Sequence, residues 1–138
     1  MNRRYRGQDG FTLIEIMVVI LIIGLLALMV VPRLRGVADR AKRTKAQADI
    51  QELKQALDRY YLDNGTYPTT DQGLQALVTP PTGGRTPANY EPGGYIEKLP
   101  SDPWGNSYFY QSDGSSYVLK SFGPDGVQSV DDIDGSSS

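Results

Sequence analysis

The feature that most constrains this chain is an apolar run near its start. From Phe11 to Pro32 it reads FTLIEIMVVILIIGLLALMVVP, and only Thr12 and Glu15 are polar. As a helix, such a run spans roughly 33 Å, close to the hydrocarbon core of a bilayer at about 30 Å. The remaining residues are far more polar, so the run reads as a membrane segment rather than the core of a soluble fold. A carboxylate four residues into it, Glu15, costs about 3 kcal/mol even on the lenient insertion scales, and such residues mark function. A secretory signal peptide would share the basic start (Arg3, Arg4, Arg6), but Ala27-Leu28-Met29 is not an A-x-A cleavage site. The run also exceeds the roughly 7–15 residues of a signal h-region. An ordinary signal anchor leaves Glu15 unexplained. A leader cut after Gly10 accounts for it: the new α-amine on Phe11 and the Glu15 carboxylate can neutralise each other between neighbouring copies.

Composition removes several function classes. With 138 residues the chain has room for one domain of ordinary size. Cysteine is absent, which excludes a disulfide framework, a thiolate zinc site and a cysteine nucleophile. Histidine is absent too, removing the usual general base and the commonest metal ligand. The net charge of −2 divides into +6 over residues 1–45 and −8 over residues 46–138. That asymmetry does not describe a nucleic-acid-binding face; it describes a chain whose two ends live in different surroundings. Gly83-Gly84 and Gly93-Gly94 lack the lysine and following helix of a phosphate loop. Asp102 and Asp113 have no spacing that would make them an acid–base pair. No enzyme is expected.

Beyond Pro32 the helical period continues. Ile50, Leu53, Leu57, Tyr60 and Tyr61 form one apolar stripe, flanked by Gln51, Glu52, Lys54, Gln55, Asp58 and Arg59 on a solvated face. Asn64-Gly65 supplies a left-handed stop. A single helix from Phe11 to about Asp63 would be roughly 80 Å long. Gly24 and Pro32 are its weak points, because proline in a helix interior removes one hydrogen bond and kinks or opens the chain. From Gly65 to Gly105 the chain is rich in Pro and Gly, with one short helix expected at Thr70–Val78, capped by Thr70 or Asp71. Ser107–Tyr110 and Tyr117–Lys120 read as a hairpin turning at Ser112–Ser115. Trp104, between Pro103 and Gly105, reads as a core plug.

Gly10-Phe11-Thr12-Leu13-Ile14-Glu15, after a short basic leader and before an apolar helix, resembles the prepilin peptidase site of type IV pilins and secretion pseudopilins. Further on, Lys45-Ala46, Asp49-Ile50, Ala56-Leu57-Asp58-Arg59-Tyr60 and Leu62-Asp63-Asn64-Gly65-Thr66-Tyr67-Pro68 are similar to the major pseudopilins (G subunits) of type II secretion systems. So are Gln72-Gly73-Leu74, Leu99-Pro100-Ser101-Asp102-Pro103-Trp104-Gly105-Asn106 and Ser121-Phe122-Gly123-Pro124-Asp125-Gly126. The resemblance implies cleavage after Gly10, N-methylation of Phe11, and a role for Glu15 in recruiting and registering subunits. It also implies that the stretch around Pro32 can unwind on assembly. The implied fold is α+β: a long N-terminal helix, membrane-spanning in its first half, packed on a small antiparallel sheet with long loops. The divisions are a leader at 1–10, a membrane and filament-core helix at 11–33, the periplasmic half of that helix at 34–64, and a globular domain at 65–138.

The implied function is that of the major structural subunit of a periplasmic pseudopilus, which helps drive folded exoproteins across the outer membrane. Alternatives are a type IV pilin or minor pseudopilin, or a monomeric membrane-anchored periplasmic binding module. The implied partners are further copies of the chain, minor pseudopilins, the prepilin peptidase, inner-membrane platform proteins and a cytoplasmic ATPase. The implied location is the inner membrane, single-pass, with the C-terminal part in the periplasm. Six basic residues between Arg33 and Lys45 oppose three in the leader, so a positive-inside count favours the reverse orientation; an export-recognised leader overrides it.

Four aspartates, Asp125, Asp131, Asp132 and Asp134, crowd into the last residues beside Gly123, Gly126 and Gly135. Calcium takes six to eight hard oxygen ligands, which such a loop can supply. The pattern is not an EF-hand, and by spacing alone a solvated acidic tail is the alternative. Type IV pilins close this region with a disulfide, which this chain cannot form. The resemblance implies structural Ca²⁺ instead, held by the side chains of Asp125, Asp131 and Asp132 and by carbonyls near Phe122 and Ser129.

Overall fold

The computed structural model describes residues 10–137, and the side chains of residues 31–35 fall outside that description, as do residues 1–9 of the leader. One helix, α1, runs from Leu13 to Asn64. It passes through Gly24 and Pro32 as one continuous helix. Compactness divides the chain after Asp39, so the division falls inside α1 and not at either end of it.

The first unit is the apolar part of α1. Leu13–Val30 is long and apolar enough to cross a membrane, and none of it is buried. That is the reverse of a soluble core helix, whose apolar face is covered.

The second unit begins at Arg40 and is built on the remainder of α1. Ala46, Ile50, Leu53, Ala56, Leu57 and Tyr60 are buried along one side. Gln51, Glu52, Gln55, Asp58 and Arg59 face solvent. Tyr61 departs from the expected stripe: it is exposed and stacks on Tyr67 with ring centroids 4.7 Å apart. A helix turns about 100° per residue, so the residue beside Tyr60 leaves the buried face, and its ring finds another aromatic at the edge. The helix ends as its sequence requires. Gly65 adopts φ 73°, its amide donates to the Tyr61 carbonyl at 2.7 Å, and Asn64 Nδ2 donates to the Tyr60 carbonyl at 3.0 Å.

Against this face packs a three-stranded antiparallel sheet in the order β1 (Phe109–Ser112), β2 (Tyr117–Ser121), β3 (Ile133–Asp134). The hairpin lies where expected but begins two residues later. Ser112 pairs with Tyr117 and Phe109 with Lys120. This register turns Tyr117, Leu119 and Ser121 inward, because side chains alternate along a strand. The expected helix at Thr70–Val78 shrinks to a 3-10 turn at Leu74–Leu77. Thr70 caps no helix: its hydroxyl donates to the Ser112 carbonyl and accepts from the Ser112 amide, both at 2.9 Å, clasping the end of β1. Gly73, at φ 60°, bends the chain between clasp and turn. Leu74, Ala76, Leu77, Tyr95 and Ile96 complete the core, and Trp104 packs partly buried against it.

β3 arises inside the acidic segment, which the sequence does not signal. It pairs Lys120 with Asp134 and Ser121 with Ile133. Past it the chain keeps following β2. The amides of Gly135 and Ser137 donate to the carbonyls of Leu119 and Tyr117 at 2.8 and 3.0 Å. The hydroxyls of Ser136 and Ser137 accept the amides of Leu119 and Tyr117 at 3.1 and 2.9 Å. Gly135 is buried so closely on α1 that a Cβ there would stand 2.2 Å from Cγ2 of Ile50. Serine hydroxyls and a glycine therefore pin a C-terminal end whose sequence reads as free of packing.

Candidate functional site

Two regions carry the residues singled out by sequence. The first is the start of α1. Gly10, Phe11 and Thr12 precede the helix as irregular chain, all exposed. Thr12 occupies the N-cap position, and its Oγ1 accepts the amide of Glu15 at 3.3 Å. Glu15 is thus the third helical residue, and it is its backbone amide that the Thr12 side chain caps. Sequence reading singled out Glu15 for its charge and missed Thr12. The signal was present, because Ser/Thr followed three residues later by Glu before an apolar run marks a helix start. The cap matters more in lipid than in water, since no solvent is there to satisfy the first amides of the helix. Pro32 lies further along the same helix.

The second region is the acidic C-terminal loop. Asp131 and Asp132 stand on either side of a shared donor residue. The Ser129 hydroxyl donates to Asp131 Oδ1, and the Ser129 amide donates to Asp132 Oδ1 at 3.0 Å. Asp125 closes its own turn, its Oδ1 accepting the Val127 amide at 3.2 Å. Among the described residues no three acidic groups gather into a metal-holding cluster. Like-charged carboxylates repel, and each here takes a different donor group, the Val127 amide, the Ser129 hydroxyl or the Ser129 amide. The Ser129 hydroxyl, helped by the Arg43 guanidinium, holds the Asp131 carboxyl below its ordinary range. Asp134 belongs to the sheet, paired with Lys120 at 3.4 Å; hydrogen bonds from Ser136, then Lys120, hold its carboxyl down.

The donor chemistry of this loop nevertheless suits a hard divalent cation. Asp125, Asp131 and Asp132 offer carboxylate oxygen, and the carbonyls of Phe122 and Ser129 add neutral oxygen. Gly123 adopts φ 69°, and a Cβ there would stand 3.0 Å from Asp131 Oδ2, so a side chain at this position would crowd the carboxylate.

Behind the loop lies a residue that sequence reading set aside. Asp102 is buried. Its Oδ1 accepts the amides of Trp104 and Asn106 at 3.1 and 2.7 Å. Its Oδ2 accepts the hydroxyl of fully buried Ser121 at 3.1 Å, and the Gly123 amide donates to that hydroxyl at 3.3 Å. Asp102 thereby ties the Pro103-Trp104-Gly105-Asn106 turn to the start of the acidic loop. Asp113, by contrast, caps the exposed hairpin turn, where amides of Ser116 and Ser115 bring its carboxyl to about 2. The two aspartates serve separate turns and form no acid–base pair.

Comparison with known proteins agrees with this layout. Residues 33–136 match the family described as type II secretion system (T2SS), protein G. Residues 5–31 match the prokaryotic N-terminal methylation motif. The type II secretion system core protein G of Vibrio cholerae is 54% identical over 128 residues, covering 91% of this chain and 87% of the relative. That of Pseudomonas aeruginosa is 51% identical over 131 residues, covering 94% and 92%. That of Escherichia coli K12 is 54% identical over 127 residues, covering 91% and 88%. Among solved structures, the major pseudopilin from the type 2 secretion system of enterohaemorrhagic Escherichia coli superposes with a TM-score of 0.66 at 48% identity. The superposition covers 72% of this chain and 86% of that one. With more than half of the chain inside the family match and relatives over 50% identical across nine-tenths of its length, the chain belongs to the type II secretion system protein G family.

Proposed function

We infer that the chain is the major pseudopilin of a type II secretion system, a structural subunit and not an enzyme. The observation that carries this is the pairing, in one chain, of the N-terminal methylation motif over residues 5–31 with the protein G match over residues 33–136. The unburied Leu13–Val30 segment suits a subunit that waits in the inner membrane and exchanges lipid for its neighbours' helices in a filament. In this reading the prepilin peptidase cuts after Gly10 and Phe11 is methylated, with the leader on the cytoplasmic side and the globular unit in the periplasm. Subunits then add through heterologous contacts that do not close into a ring, alongside minor pseudopilins, platform proteins and an ATPase that supplies the energy.

Processing is the direct test. In cells containing the peptidase, the mature N-terminus by mass spectrometry should be a methylated Phe11. Gly10→Val should keep its ten-residue leader and yield no filaments, because a β-branched residue crowds the scissile bond. A normally processed Gly10→Val protein that still polymerises would refute this account.

Calcium in the acidic loop is part of the same proposal, with Asp125, Asp131 and Asp132 and the carbonyls of Phe122 and Ser129 as its ligands. When bound, the ion would neutralise the carboxylates and tie the loop onto β2 and β3. Extracellular sites of this kind bind at about 10⁻⁴–10⁻³ M. Binding to the folded form alone stabilises by about 2.7 kcal/mol at a hundred times the dissociation constant. Chelation should therefore lower the melting temperature, and Asp125→Ala or Asp132→Ala should reproduce the chelated value and reduce secretion. Superimposable melting curves with calcium and with chelator would mark the aspartates as a solvated loop.

A further inference from the structure

We propose that Arg43 is the acidic loop's resident counter-cation and competes with a divalent ion for Asp131. The proposal rests on the calcium reading above. Arg43 lies on α1, 88 residues before Asp131 in sequence, yet its Nη2 meets Asp131 Oδ2 at 3.4 Å and its Nη1 donates to the Asp131 carbonyl at 3.3 Å. The guanidinium thus grips one residue at two oxygens, side chain and main chain, as its planar fork allows. The other carboxylate oxygen, Oδ1, takes the Ser129 hydroxyl.

Asp131 is held from behind as well. Its Oδ2 lies against Gly123, where a Cβ would come within 3.0 Å. The oxygen that Arg43 holds is therefore the one beside the turn following Phe122, one of the expected carbonyl donors. A divalent ion recruiting Asp131 there must displace the guanidinium or share its charge, and two cations on one oxygen repel. Arg43 and Asp131 are 44% and 30% exposed at their side chains, so the arginine can swing into solvent at little cost. Arg43 consequently holds the loop on α1 when calcium is scarce and sets the concentration at which calcium takes over.

The test uses the full chain in detergent micelles, with calcium chloride as the probe. Titration calorimetry is run on the unaltered chain, Arg43→Gln, Arg43→Lys and Lys42→Gln. The last removes one charge from the same basic stretch without touching Asp131. Arg43→Gln should bind calcium about two- to fivefold more tightly, the range set by the worth of an exposed ion pair. Arg43→Lys should fall between, having the charge without the fork, and Lys42→Gln should shift less than either. In chelator Arg43→Gln should melt below the unaltered chain, with the gap closing at saturating calcium. An unchanged or weaker affinity in Arg43→Gln, or an equal shift in Lys42→Gln, would overturn the competition while leaving the calcium site standing. No binding by any of the four would overturn the calcium reading and the competition with it.

Discussion

Replacing Asp102 with alanine is expected to destabilise the globular unit by about 3–5 kcal/mol, the range for breaking a buried, hydrogen-bonded charge site. The residue is 4% exposed, and its carboxylate accepts two amides and one hydroxyl. Its loss strands the buried Ser121 hydroxyl and frees the turn that carries Trp104. Domains of this size are stable by about 5–15 kcal/mol, so the change removes a large fraction of the total. At about 4–8 °C per kcal/mol, the melting temperature should fall by about 12–40 °C. Asp102→Asn keeps the shape and one acceptor and should lose roughly half as much. Because Ser121 also receives the Gly123 amide, the damage should spread to the acidic loop as faster hydrogen exchange over residues 121–133. Thermal melts of the full chain check this. A loss below about 1 kcal/mol, the size of one ordinary hydrogen bond, would show that Asp102 is incidental to the fold.

Glu15→Ala is expected to be processed and membrane-inserted yet to form few or no filaments. The Thr12 cap engages only the backbone amide of Glu15, which any substitution there keeps, so the side chain is free to neutralise the α-amine of a neighbouring Phe11. An amine buried unpaired in an apolar filament core costs several kcal/mol per subunit, roughly 3–5 after relaxation. Glutamine keeps the size and polarity of the side chain but brings no charge, so Glu15→Gln should assemble nearly as poorly as Glu15→Ala. Filament yield by electron microscopy, set against processed subunit in the membrane, checks this. Normal yield from Glu15→Gln would show that the charge of Glu15 is not what assembly needs.

The helix, the membrane segment and the family were legible in the sequence because each rests on local periodicity or a fixed spacing. Twenty-two nearly unbroken apolar residues, a stripe at Ile50, Leu53, Leu57 and Tyr60, and an Asn-Gly stop need no distant partner to be understood. The hairpin was legible for the same reason, its turn residues lying between two aromatic runs. Where local cues were weak, distant contacts decided. Thr70 looked like a helix cap, but Ser112 lies opposite and takes its hydroxyl on both donor and acceptor sides. The residues before Gly73 then had no helix left to form.

The C-terminal segment shows the limit most clearly. Aspartates, glycines and serines promise a solvated end, since nothing in their local pattern drives a strand. Yet without this segment β2 would present unpaired carbonyls and amides along one edge. A buried edge must be paired, so the tail is recruited as β3 and its continuation, with Gly135 fitting over Ile50 because it lacks a side chain. Asp102 was invisible as a hub because its partners Trp104, Asn106 and Ser121 lie on two separated stretches that only folding brings together. The same holds for Arg43 and Asp131, 88 residues apart. Periodicity and spacing thus determined the long helix, the hairpin and the family by themselves. Which polar groups are buried, and what satisfies each one, was decided only in three dimensions, because a hydrogen bond acts across about 3 Å of space regardless of separation along the chain.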